Sequence, residues 1–240
     1  MKYLLIAFAF ISCQVSPKKN TAKVSTEPLD TIKIFPAITA EPQLFEKAFI
    51  AGTTQEVMKS KLSLYGINIG KIKITSGRIM ACDPIIVDEY GIPFTQTFPT
   101  GEFPVQLSIA KLGDAETVAF ARINFSEAPV TRWELALLKG QKQVPLNAKE
   151  KPGYVVDGGF GSFMDAEGKK AVNTDQFQND LYQSAAKHYR PNWKYAVHDY
   201  GKHNIISFTS GFGDGNYSTY VGYDTAGKPC RLLTNFEIFD

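Results

Sequence analysis

Cysteine is scarce in this chain, with three residues in 240, at positions 13, 82 and 230, and no C-x-x-C pair. That usage argues against a structural zinc site and a dithiol redox motif. Cys82 and Cys230 remain as one available intramolecular pair, to be read either as a disulfide in an oxidising compartment or as two buried free thiols. Excess charge of either sign is lacking too. The 26 basic and 24 acidic side chains leave a net +2, so no strong field draws nucleic acid to the surface, and no nucleic-acid partner is expected. The chain has no repeat of solenoid period, no twelve-position calcium loop and no phosphate-binding loop ending in lysine. Ser162 is not flanked as a nucleophile elbow requires. His188, His198 and His203 read as solvated or core residues rather than ligands or bases, although Asp199 lies close enough in sequence to pair with His203.

What is present suits a folded protein. A hydrophobic content of 44% with 21% charged residues is enough to build a core and too apolar for a disordered chain. The longest apolar run, 3–11, follows Lys2 and precedes Ser12 and Cys13. This is the order of a secretory signal, and the run is too short to span a bilayer as a mature helix. A small residue before cysteine resembles the lipobox of bacterial lipoproteins, with Phe10 where leucine is more usual. The reading is a signal segment over 1–12, lipidation of Cys13 and a flexible Lys, Ser, Thr and Pro-rich tether over 13–39. The alternative is an ordinary secretory signal with an incidental cysteine. On the first reading the protein is held by its lipid at a membrane of the cell envelope, facing the periplasm or the cell surface.

Residues 40–240 read as one α+β domain, predominantly antiparallel β-sheet. Leu44, Phe45, Ala48 and Phe49 at helical spacing predict a short N-terminal helix, and 59–64 reads as a weak helical or strand segment. Strands are expected over 67–74, 77–86 (broken at Asp83-Pro84), 103–109, 117–125 and 130–138, with 105–111 and 117–125 pairing across Gly113-Asp114. The main amphipathic helix is placed at about 173–189, with Asn173 and Gln176 as a capping box. Four strands follow at 193–198, 204–210, 217–224 and 231–239. In the third, Tyr217 and Tyr223 share one face and Tyr220 takes the other, so that one face packs in the core and the other is open.

Four stretches come in a distinctive order: 77–84 (G-R-I-M-A-C-D-P), 99–107 (P-T-G-E-F-P-V-Q-L), 155–165 (V-V-D-G-G-F-G-S-F-M-D) and 210–224 (S-G-F-G-D-G-N-Y-S-T-Y-V-G-Y-D), the last followed by Asn235-Phe236. Together they resemble the bacterial domain of unknown function 4241 family over about 77–240. The resemblance implies domain identity and carries no chemistry with it.

The residues themselves suggest where chemistry would sit. Asp83, Asp157, Asp165, Asp214 and Asp224 adjoin glycine or proline turns. Such carboxylates either close their own turns or converge on a hard cation. Asp157 and Asp214 are the candidate catalytic pair, and Asp157, Asp165 and Asp214 the candidate ligands of a divalent cation in a metal-assisted hydrolase. The preferred reading is a binding or interaction domain, with a protein or an envelope glycan as partner. Gly158, Gly159, Gly211, Gly213 and Gly215 would expose backbone amides to a ligand, and Tyr217, Tyr220 and Trp193 would offer rings for stacking, unless these rings pack across strands. The geometric expectation common to both readings is that the bends near 157 and 214 face one cleft.

Overall fold

The computed structural model describes residues 43–57, 59–172 and 174–239. The expected signal segment, the tether with Cys13, and Asn173 of the expected capping box lie outside them. In chain order the elements are α1 (Gln43–Lys47), β1 (Thr53–Val57), β2 (Ser60–Ile74), β3 (Ile79–Cys82), α2 (Val87–Tyr90), β4 (Gly101–Leu112), β5 (Ala115–Asn124) and β6 (Arg132–Leu135). There follow β7 (Tyr154–Val156), β8 (Phe160–Asp165), a 3-10 turn (Gly168–Ala171), α3 (Thr174–Lys187), β9 (Tyr195–Tyr200), β10 (His203–Thr209), β11 (Gly215–Tyr217), β12 (Thr219–Tyr223) and β13 (Pro229–Asn235). Strand makes up 47% and helix 12%, so the protein is mostly antiparallel β.

The strands form a seven-stranded sheet curled as a half-barrel, in the order β1-β2-β4-β5-β13-β12-β6. A four-stranded sheet runs β3-β8-β10-β9, and β11 pairs separately with β7. Local chemistry accounts for the register. β4 and β5 meet with Leu112 opposite Ala115, and Gly113 between them takes the φ of 60° that a type II′ hairpin demands at its first turn position. The 59–64 segment is strand from Ser60 onward, after a turn at Lys59 with φ of 68°, since β1 pairs with Ser60 to Leu64 and β4 takes the other edge from Ser63.

Apolar side chains fill three layers. The main core lies between the two sheets, where Ile72, Leu107, Ile123 and Leu232 meet Ile79, Phe163, Ile206 and Phe208. On the far face of the four-stranded sheet, Phe177, Leu181 and Ala185 of α3 cover Met80, Met164 and Ile205; these helix positions recur every four residues and so share one side. On the outer face of the seven-stranded sheet, Phe45 of α1 packs with Leu64, Phe120, Leu135, Tyr220 and Leu233. This corrects the expectation of an open face on the tyrosine strand. Tyr217 and Tyr223 do belong to the inter-sheet core and Tyr220 to the opposite side, but α1 covers that side and Tyr220 is 2% exposed.

Ring contacts and ion pairs bind α1 and the residues after it to the sheet. The Phe45 ring sits 4.7 to 5.7 Å, centroid to centroid, from Tyr220, Trp133 and Phe120. Beside it Glu46 reaches Arg122 Nη1 at 3.0 Å and Arg231 Nε at 3.3 Å, while the Arg122 guanidinium lies 3.7 Å over the Phe49 ring. Burial lowers Arg122 to about 10, partly offset by Glu46. A ring of this size emptied from an aromatic nest costs roughly 3 kcal/mol or more, so Phe45→Ala is expected to lose that much stability in urea denaturation. A loss below about 0.5 kcal/mol, the range of surface substitutions, would show that α1 is not docked in solution.

Candidate functional site

The site is built from two backbone bends and one buried carboxylate. After β3 the chain reaches Asp83, whose side chain has no solvent exposure. Its Oδ1 accepts the Ile85 amide at 2.9 Å, a local turn of the kind aspartate before proline favours. Its Oδ2 accepts the amides of Asp157 at 3.0 Å and Gly158 at 2.6 Å, from the bend between β7 and β8. A Cβ on Gly158 would fall 2.6 Å from Ile85 Cδ1 and 3.2 Å from Asp83 Oδ2, so a side chain there would make Ile85 turn aside.

The second bend, between β10 and β11, is a turn closed by the Gly213 amide on the Ser210 carbonyl at 2.7 Å. Gly211 at its second position has φ of 52° and packs so tightly that an added Cβ would lie 2.8 Å from Phe236. Tyr217 is 5% exposed and donates its hydroxyl to the Gly213 carbonyl at 2.8 Å, fixing the bend from beneath. Burial raises this phenol above its ordinary value, so it is a donor and not a base. The two bends lie side by side. Asp214 Oδ1 accepts the Gly159 amide at 3.0 Å, Gly159 returns its carbonyl to the Ser210 amide at 3.1 Å, and β11 pairs with β7 through Gly215 opposite Val156.

Beside them opens a cleft of about 380 Å³. Gly158, Gly159, Gly211, Phe212 and Gly213 form one wall, Phe160 and Thr209 contribute to its lining, and the link from α3 to β9, residues 189–194, forms the other wall. Phe212 is 82% exposed and Tyr189 60%. Lys194 Nζ stands 5.0 Å from the Phe160 ring centroid and Arg190 Cζ 5.8 Å from that of Trp193. The link is held by Arg190 donating its amide to the Trp193 carbonyl and by Thr209, which exchanges hydrogen bonds with Lys194. Trp193 donates its indole N–H to Glu116 at 3.2 Å. Of this basic and aromatic wall, R-P-N-W-K, a reading centred on glycine and aspartate picks out Trp193 as a ring and misses the two cations on either side of it, Arg190 and Lys194.

Several candidates are placed elsewhere. Tyr217 and Tyr220 are buried and present no ring face to a ligand. Gly215 opens β11 under the Tyr217 ring and does not line the cleft. Asp157 and Asp214 are exposed at the bends, but Asp165 ends β8, five residues beyond Phe160, hence about 17 Å away along an extended strand. Its carboxylate is spent locally, on the amides of Thr75, Ser76 and Glu167 and the hydroxyls of Thr75 and Ser76. Among the described residues no three His, Cys, Asp or Glu side chains come together as a metal site, so the proposed carboxylate set for a divalent cation does not assemble. Asp224 accepts the amides of Ala226 and Lys228 in its own turn.

Several nucleophiles and bases are committed as well, although the buried His203 keeps Nδ1 without a hydrogen-bond partner among the described residues. Ser162 is buried and donates to the Cys82 carbonyl at 2.6 Å. Cys82 and Cys230 are free and buried, on separate sheets, and burial pushes the Cys82 thiol up to about 12, where it is not a thiolate at neutral pH. Asp199 pairs with Lys73 at 2.6 Å. His188 stacks on Tyr195, and His198 packs against Phe177 and Tyr200.

Two outcomes follow from these carboxylates. Asp83→Asn weakens charge-assisted bonds to two bend amides, which is expected to cost on the order of 2–3 kcal/mol and to speed hydrogen exchange at Asp157 and Gly158; unchanged exchange there would overturn the assigned role. For Asp165, burial acts to raise the carboxyl, but the amides of Ser76, Glu167 and Thr75 outweigh it and hold the group below its ordinary 3.8. A depressed folded-state value means that its contribution is complete above about pH 5 and is lost as pH falls below the ordinary value through the folded one. Asp165→Asn should therefore flatten the acid limb of the stability profile, and a parallel limb in the variant would contradict the assignment.

No curated protein and no solved structure matches the chain. A family described as "Protein of unknown function (DUF4241)" matches residues 72–234, from β2 to β13 and therefore across both bends and the cleft wall. With that span covering well over half of its length, the chain belongs to the DUF4241 family.

Proposed function

We propose that the protein is a secreted envelope protein, anchored through lipid on Cys13, whose domain over 40–240 acts as a binding module, and that its ligand occupies the cleft between the two glycine bends and the 189–194 link. The partner is a protein or an envelope glycan. The observation that carries this reading is the composition of the cleft. Its walls are rigid backbone, exposed rings and two cations, while the nearby carboxylates of Asp83 and Asp214 are bound to bend amides. Such a surface is built to hold a ligand. General acid–base hydrolysis would need a free, positioned pair, and the hydrolase reading through Asp157 and Asp214 has no third ligand or histidine beside it among the described residues.

A photo-crosslinking amino acid at position 212, in the bacterium that makes the protein, tests the site, with position 54 on the edge strand β1 as the control. A discrete adduct from 212 and none from 54 is expected. No adduct from 212, or equal adducts from both, would remove the cleft as the binding site. For the anchor, wild type is expected in the membrane fraction with a lipidated first cysteine by mass, and Cys13→Ser in the soluble fraction. An unmodified Cys13 in the mature chain would overturn the lipid anchor.

A further inference from the structure

Arg190 and Lys194 stand on the same cleft wall with no acidic partner. The ion pairs among the described residues involve neither. The nearest candidates are already engaged, since Glu116 takes the Trp193 indole and lies 3.8 Å from Lys111, and Asp214 is turned onto Gly159. Among the described residues the Arg190 guanidinium donates its hydrogen bond to the Tyr189 carbonyl next to it. On the facing wall, the Phe212 amide donates to no described residue, because the turn closes through Gly213 instead. Two cations and the Phe212 backbone thus border one concave space, and Phe212 and Tyr189 project beside it as exposed rings.

We infer that the cleft recognises an acidic peptide segment carrying an aromatic or large apolar side chain, its carboxylates lying against Arg190 and Lys194 and its apolar side chain between Phe212 and Tyr189. This rests on the binding reading above and specifies its partner as protein. A neutral glycan would use the rings and leave both cations unmatched, and desolvating an unmatched cation opposes binding. A bilayer surface is flat, whereas these cations line a recess of about 380 Å³, a size within the ordinary range for ligand sites. An acidic segment satisfies each feature at once, with guanidinium and ammonium for its carboxylates, the Phe212 amide for a backbone carbonyl and rings for its apolar side chain. Asp157 and Asp214 at the bends direct the acidic end away from themselves, towards the 190–194 wall.

The test is a titration of the 15N-labelled full chain, read at the amides of Gly158, Gly159, Gly211 and Gly213 and at the Trp193 indole. The probes are a blocked peptide of one phenylalanine and two glutamates, its glutamine analogue, an N-acetylglucosamine trimer, and phosphatidylglycerol vesicles. The glutamate peptide is expected to shift these signals with an affinity about ten-fold above that of the glutamine analogue, the difference shrinking as salt rises. Arg190→Gln with Lys194→Gln should abolish the difference while leaving the melting temperature in place. Phe212→Ala should weaken both peptides alike. Equal binding of the two peptides, no shift with either, or shifts only with the sugar or the vesicles would overturn the inference. The crosslink at position 212 separates the two failures: an adduct that persists while the glutamate peptide fails leaves the cleft as a binding site for another class of ligand, and loss of both removes the site itself.

Discussion

The buried carboxylate of Asp83 is the contact on which the candidate site depends. It sits where β3 leaves the four-stranded sheet, and it gathers amides from its own turn and from a bend more than seventy residues later in the chain. A carboxylate without solvent is costly unless its lone pairs are filled. Here the filling groups are backbone N–H donors that a glycine bend would otherwise present to water. The bond therefore serves both partners, satisfying the buried charge and fixing the bend. With the first bend fixed, Gly159 is in place to receive Asp214, and the second bend is set against the first.

The protein uses most of its acidic turn residues in this way. Asp165 ties the end of β8 to the segment after β2, Asp224 closes its own turn, and Asp214 bridges the bends. Carboxylates so engaged have little left for chemistry, while the cations opposite them are left over. The cleft's electrostatic character thus comes from what the fold does not use. The same division holds for the aromatics. Tyr217, Tyr220 and Trp193 are consumed by packing, and Phe212 and Tyr189 are the large rings that remain outside beside the cleft.

Much of the strand framework was legible because it depends on local rules. Alternation in β5, the Gly113-Asp114 hairpin, the break at Asp83-Pro84 and the helix ahead of Pro191 each follow from side-chain period or from a φ that few residues adopt. The tyrosine strand was legible only in part. Period two placed Tyr217 and Tyr223 opposite Tyr220, but it could not say that α1, more than 170 residues earlier, would cover the second face. Reading Tyr217 and Tyr220 as ligand-facing therefore failed on burial, a property of neighbours rather than of sequence spacing.

The sequence alone determined the antiparallel strand pattern, the positions of the glycine bends and the family to which the domain belongs, because periodicity, turn chemistry and motif order are written in consecutive residues. Tertiary structure alone decided that Asp83 holds the 157–158 bend, that Asp165 lies at the far end of β8 from it, and that Arg190 and Lys194 face the 211–213 turn. These are pairings between segments tens of residues apart. They are selected by the need to satisfy buried polar groups and fill space between the sheets, and no local pattern carries that information.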